Sequence, residues 1–148
     1  MKEILNNKIM IIEDSEFARA MIMVKLKNSG FHNLDLPDSS IEAWKRIADA
    51  QVNDNPYDLI ITDLNMPGLD GIELISKIKE DAMSEKLKLI VISADADRAI
   101  INICKSLGVL AYFSKPFVGE ELVAVVRAIF LDQEIPEIKG MFQVPEVS

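Results

Sequence analysis

Three short runs of consecutive apolar residues punctuate the chain: IMII at 9–12, LIIT at 59–62 and LIVI at 89–92. Each is rich in β-branched residues and breaks off at a polar or charged position. Unbroken apolar character over four residues, rather than alternation, marks a strand covered on both faces, as in a parallel sheet flanked by helices. Weaker strands are predicted at 33–36 and 110–113.

Helical periodicity fills the gaps. Between 15 and 28, Phe17, Ala20, Met21 and Val24 recur at spacings of three and four and predict an inward stripe, stopped by Gly30. Ser39 or Ser40 is placed to cap a second helix carrying Ile41, Trp44 and Ile47, with Glu42 early in it. A third helix is predicted at 71–80, with Ile72, Ile75 and Ile78 inward. A fourth, near 96–107, ends at Gly108, with Ala99, Ile103 and Leu107 as its stripe. The fifth, near 119–131, buries Leu122, Val125, Val126 and Ile129.

Strand and helix therefore alternate five times. Parallel strands require crossovers, and right-handed crossovers place helices on both sides of the sheet, so an α/β three-layer sandwich is expected. Residues 132–148 (DQEIPEIKGMFQVPEVS) lose this periodicity and carry Pro136 and Pro145. They read as a tail or the beginning of a linker.

Composition narrows the function. A net charge of −8 argues against a general nucleic-acid-binding surface, which needs basic patches. The apolar run near the start is too short for a signal peptide or a membrane span. The single cysteine, Cys104, has Ile101, Ile103 and Leu107 around it; it reads as a small buried thiol in a reducing, cytoplasmic setting. His32, the only histidine, falls in a loop, and Trp44 reads as packing.

The chemistry gathers at the predicted strand ends. Ligands of open parallel sheets bind outside the carboxyl ends of the strands. The first strand is followed by Glu13 and Asp14, the third by Asp63, the fourth by Ser93 and Ala94, and the fifth by Lys115 and Pro116. Three carboxylates on one rim repel, and a single lysine does not balance them. Oxygen ligands without His or Cys favour a hard divalent ion, Mg2+ above all. A carboxylate held there can also attack a phosphoryl group to give an acyl phosphate. Lys115 would then neutralise the transferring oxygens, and Ser93 would donate a hydrogen bond to one of them.

Glu13-Asp14, Asp63 in DLNMPGLDG, Ser93-Ala94, and Tyr112 ahead of Lys115-Pro116-Phe117 together resemble the receiver domain of two-component response regulators, over about residues 8–131. The resemblance implies a flavodoxin-like (βα)5 fold with a five-stranded parallel sheet in the order 2-1-3-4-5. It implies that Asp63 is the phosphoacceptor, served by a histidine kinase or a histidine phosphotransfer protein. Glu13, Asp14, Asp63 and Asn65 would hold Mg2+, Asn65 through its backbone carbonyl and Glu13 by way of water. Pro67 and Gly71 would shape the loop, Lys115 would pair with Asp63, and the bond before Pro116 would be cis. Ser93 and Tyr112 would form a switch, read out on the fourth helix, fifth strand and fifth helix.

The receiver would occupy residues 1–131, with 132–148 as a C-terminal tail or truncated linker; the chain would be a complete regulator or the receiver portion of a longer regulator or hybrid kinase. Its only chemistry would be its own phosphotransfer and autodephosphorylation, so it is not expected to be an enzyme in the usual sense. Its output would pass through protein contacts to a downstream protein, including phosphorylation-dependent homodimerisation, with no direct nucleic-acid binding and no membrane insertion. Ile101, Val123 and Phe130, left over from the core stripes, are predicted to help form that surface. Ala18 and Ile22 are predicted to face the helical bundle of a phosphodonor.

Two other classes compete. A flavodoxin-like electron carrier would need Ser, Thr and Gly donors for a flavin phosphate, where EDSEF offers carboxylates. An aspartyl phosphatase would need a second acid two residues after the nucleophile, where this chain has Asn65.

Overall fold

The computed structural model describes residues 6–65, 70–80, 87–94, 97–138 and 141–143. Five parallel strands, β1 (Ile9–Ile12), β2 (Leu34–Asp35), β3 (Leu59–Asp63), β4 (Lys88–Ser93) and β5 (Ala111–Ser114), lie in the expected order 2-1-3-4-5. Among the described residues, five helices connect or follow them: α1 (Glu16–Asn28), α2 (Ser40–Val52), α3 (Gly71–Glu80), α4 (Arg98–Ser106) and α5 (Gly119–Phe130). A sixth strand, β6 (Met141–Gln143), pairs antiparallel with β5, within the stretch that the sequence reads as a tail or linker.

Because successive strand residues point to opposite faces, each apolar run feeds two cores at once. Met10, Ile12, Ile60, Leu89, Val91 and Tyr112 face α2, α3 and α4. Ile9, Ile11, Leu59, Ile61, Ile90, Ile92 and Phe113 face α1 and α5. This two-sided demand explains why the strands read as solid apolar blocks.

Four helices end in the same way. Gly30 (φ 98°), Asp54 (φ 55°), Gly108 (φ 82°) and Asp132 (φ 54°) take left-handed backbone, and the next amide donates back into the last turn. Phe31 N–H reaches the Leu26 carbonyl at 3.0 Å, and Gln133 N–H reaches that of Ala128 at 2.9 Å. This motif stops a helix and reverses the chain. Glycine announces it in the sequence, whereas the two aspartates do not. Ser15 and Ser39 cap α1 and α2 through their hydroxyls, and Asp97 caps α4.

Several predicted faces are rotated. On α1 the buried residues are Ile22 and Leu26, while Phe17 is 84% and Val24 47% exposed, and Ala20 also faces solvent. The stripe chosen from the sequence is thus largely the outer face. With several apolar residues spread round this helix, two stripes fit the spacing, and packing into the core shared with β1 and α5 selects the one through Ile22 and Leu26. On α2, Ile47 is buried with Ala43 and Ala50, but Ile41 is exposed. On α4, Ile101 and Cys104 are buried, and Ile103 is exposed, reversing the predicted roles of Ile101 and Ile103. Val123 is buried as well, and Phe130 is half-buried with its ring 5.9 Å from that of Phe31. Ile101 and Val123 therefore belong to the cores and cannot form an exposed patch.

Candidate functional site

Parallel pairing in register sets the site. Ile12 lies opposite Thr62, Asp63 opposite Ile92, and Ser93 opposite Ser114, so β1, β3, β4 and β5 end on one rim. Glu13, Asp63, Ser93 and Lys115 are brought there from four separate parts of the chain. The carboxylates of Glu13, Asp14 and Asp63 offer oxygens that all lie within 4.8 Å of one another. Glu13 and Asp63 are buried, while Asp14 stands in solvent.

Lys115 spans the two buried carboxylates, with Nζ 2.5 Å from Glu13 Oε1 and 2.7 Å from Asp63 Oδ2. The resemblance implies the pairing with Asp63; the bond to Glu13 is a further finding. Burial pushes the Glu13 carboxyl above its usual range, and the bond from Lys115 only partly offsets this. For Lys115, burial works to lower the pKa, but its bonds to Asp63 and Glu13 outweigh that and hold it above the usual value. The peptide before Pro116 is cis, as expected.

Local hydrogen bonds hold the remaining pieces. Asp63 Oδ1 accepts the Asn65 amide at 2.9 Å, and Glu13 Oε2 accepts that of Ser15 at 3.1 Å, just before α1. Asn65 Nδ2 donates to Ser93 Oγ at 3.3 Å, a link that crosses from the β3 loop to β4 and has no signal in the sequence. Gly71 approaches the site closely: a Cβ there would lie 2.5 Å from Leu64 Cα and 2.8 Å from the Asp63 carbonyl oxygen. That is the structural reason for glycine at 71; Pro67 and Gly68 lie outside the described residues. Tyr112 is 1% exposed and already points into the α2–α4 core.

Such a donor set, all hard oxygens with a net charge of about −2 after Lys115 is counted, fits a divalent cation of the Mg2+ type. A depression of about 500 Å3, lined by residues that include Leu64, Asn65, Asp70 and Ile100, opens beside it.

A family profile described as the response regulator receiver domain matches residues 9–127. The chain belongs to that family. Chemotaxis protein CheY-3 of Vibrio cholerae is 32% identical to this receiver over 132 residues, covering 88% of this chain and 98% of that protein. Among solved structures, the phosphorylated cyanobacterial phytochrome response regulator RcpA superposes with a TM-score of 0.73 at 25% identity, over 89% of this chain and 99% of that one. A chain of the CheX–CheY–BeF3–Mg2+ complex from Borrelia burgdorferi shares the fold, with a TM-score of 0.74 at 24% identity over 84% of this chain and 89% of that one. No described helix of the receiver is long and apolar enough to cross a membrane.

Proposed function

We propose that Asp63 is a phosphoacceptor and that its phosphorylation, by a histidine kinase or histidine phosphotransfer protein, switches the receiver's protein contacts. The observation that carries this is the placing of the Asp63 carboxylate at the end of β3, 2.7 Å from Lys115 Nζ and beside two further acidic oxygens. A carboxylate oxygen attacks the phosphorus, the bond to the donor's imidazole nitrogen breaks, and the departing imidazole keeps the electron pair and takes up a proton. Lys115 then turns from the carboxylate to the oxygens of the transferred group. Ser93 Oγ, one residue beyond the position opposite Asp63, would donate to the same group.

Glu13, Asp14 and Asp63, with the Asn65 backbone, would hold Mg2+, which supplies charge neutralisation for the incoming phosphoryl oxygens. Water hydrolyses the acyl phosphate later, so the chain is a switch with a lifetime and not a turnover enzyme. The outer face of α1, with Phe17, Ala20 and Val24 beginning next to Asp14, suits the helical bundle of the phosphodonor. This replaces the face through Ala18 and Ile22, because Ile22 is buried. Output would run through α4, β5 and α5, where Ile103 rather than Ile101 is the exposed apolar residue on α4. A cytoplasmic setting suits both the phosphodonor and the unpaired cysteine.

Acetyl phosphate with Mg2+ should add one phosphoryl group by intact mass. Omitting Mg2+ or introducing Asp63→Asn should abolish the addition. Labelling of Asp63→Asn at the wild-type stoichiometry would remove Asp63 from its role.

A further inference from the structure

The family match ends at residue 127, yet the chain beyond α5 is built onto the fold rather than trailing from it. Left-handed Asp132, with Gln133 N–H bonded to the Ala128 carbonyl, turns the chain back from the end of α5. Ile135, Ile138 and Met141, three residues apart, then pack half-buried against the core shared by Phe113 and α5. Met141 N–H bonds to the Ile138 carbonyl at 3.1 Å and starts β6, which sets Met141 opposite Phe113, Phe142 opposite Tyr112 and Gln143 opposite Ala111. Without this segment, β5 would be the sheet edge, a row of unpaired amides and carbonyls open to another strand.

The strap also meets the loop that carries Lys115. Ile138 shares a cleft of about 250 Å3 with Phe113, Pro116, Phe117 and Glu121. Its two seats are therefore β5 and the residues flanking Lys115, which holds the unmodified Asp63 and Glu13. We propose that the edge of β5 and the residues lining this cleft form a strand-binding seat held in cis by residues 135–138 and 141–143, and that phosphorylation of Asp63 displaces them. The inference rests on the phosphoacceptor reading above. The strap is seated on the arrangement in which Lys115 grips a bare carboxylate. Drawing Lys115 toward phosphoryl oxygens moves the wall formed by Pro116 and Phe117, so the strap loses fit in the modified state. A ligand shifts an equilibrium only by such a difference in affinity. Coupling of this kind is reciprocal: a loosened strap must favour the modified state by the same factor.

The test uses the full chain. Hydrogen exchange is followed at 111–113 and 141–143, with and without fluoroberyllate and Mg2+, beside a fluoroberyllate titration of wild type and of Ile138→Asp/Met141→Asp. Exchange in both segments should quicken by roughly five-fold or more when the mimic binds, and the double variant should bind the mimic tighter by a similar factor. Binding of the mimic with unchanged exchange at 141–143, or unchanged affinity in the double variant, overturns the strap while leaving the phosphoacceptor intact. Failure of wild type to bind the mimic overturns both. The wild-type exchange arm needs no variant, so a folding defect in the double variant would not rescue the idea.

Discussion

Replacing Lys115 with methionine keeps the stem and removes the charge that bonds both Glu13 and Asp63. Two carboxylates within 4.8 Å of each other repel by about 3.5 kcal/mol or more at an effective dielectric constant of ~20. Cutting one partner from a fully buried ion pair costs about 3–5 kcal/mol. One feature reduces that here: the Lys115 side chain is 24% exposed, so water already screens it. The expected loss in folding stability without divalent ions is about 2–3 kcal/mol.

The same charge count predicts the reverse effect of Mg2+. The variant presents about three negative charges where the wild type presents two, so it should bind the ion more tightly. Each tenfold gain in affinity adds about 1.4 kcal/mol of stabilisation at saturating ion. Urea unfolding of both proteins, in chelator and across a Mg2+ series, measures both terms. Lys115→Met should be the less stable in chelator and should gain about 1–2 kcal/mol more than wild type from the ion. Adding Glu13→Gln should destabilise wild type, where Lys115 loses a partner, yet stabilise Lys115→Met, where repulsion is relieved. Equal stability in chelator, or the same sign for Glu13→Gln in both backgrounds, would refute this account of the site.

Gly71→Ala should cost about 1–3 kcal/mol, because the new methyl meets backbone at Leu64 and Asp63, and it should slow acetyl phosphate labelling; denaturation and intact mass check the two. Ile101→Ala should cost about 2–4 kcal/mol and Ile103→Ala under 1 kcal/mol in the same unfolding assay, since only the first side chain is buried. Cys104, buried with its thiol pushed up to about 11, should resist alkylation at neutral pH until the protein is unfolded. The folded state keeps that proton above the range where the unfolded chain releases it, so Cys104 should make stability fall between pH 9 and 11, by up to ~3 kcal/mol relative to the pH dependence of Cys104→Ala.

The sheet and the rim were legible because they rest on local signals: blocks of β-branched residues give strands, and polar residues directly after each block fall at strand ends whatever the register. Glu13, Asp14, Asp63, Ser93 and Lys115 could thus be placed together with no knowledge of packing. Helix faces were less legible. On α1 and α4, apolar residues surround much of the helix, so spacing alone admits more than one stripe. The choice is made by tertiary packing: the core shared with β1 and α5 for Ile22 and Leu26, and the core around Tyr112 for Ile101 and Cys104. The pairing of β6 with β5 had only a weak signal, the short run MFQV after Ile135 and Ile138, because a strand of three residues has little pattern of its own and owes its existence to the edge it meets. Site and surface part on the same ground. Residues whose roles come from position along the chain can be read directly. Those whose roles depend on which neighbour arrives become readable only when the cores are known: Ile22 and Ile101 are buried, and Phe17, Val24 and Ile103 are among the apolar side chains left facing solvent.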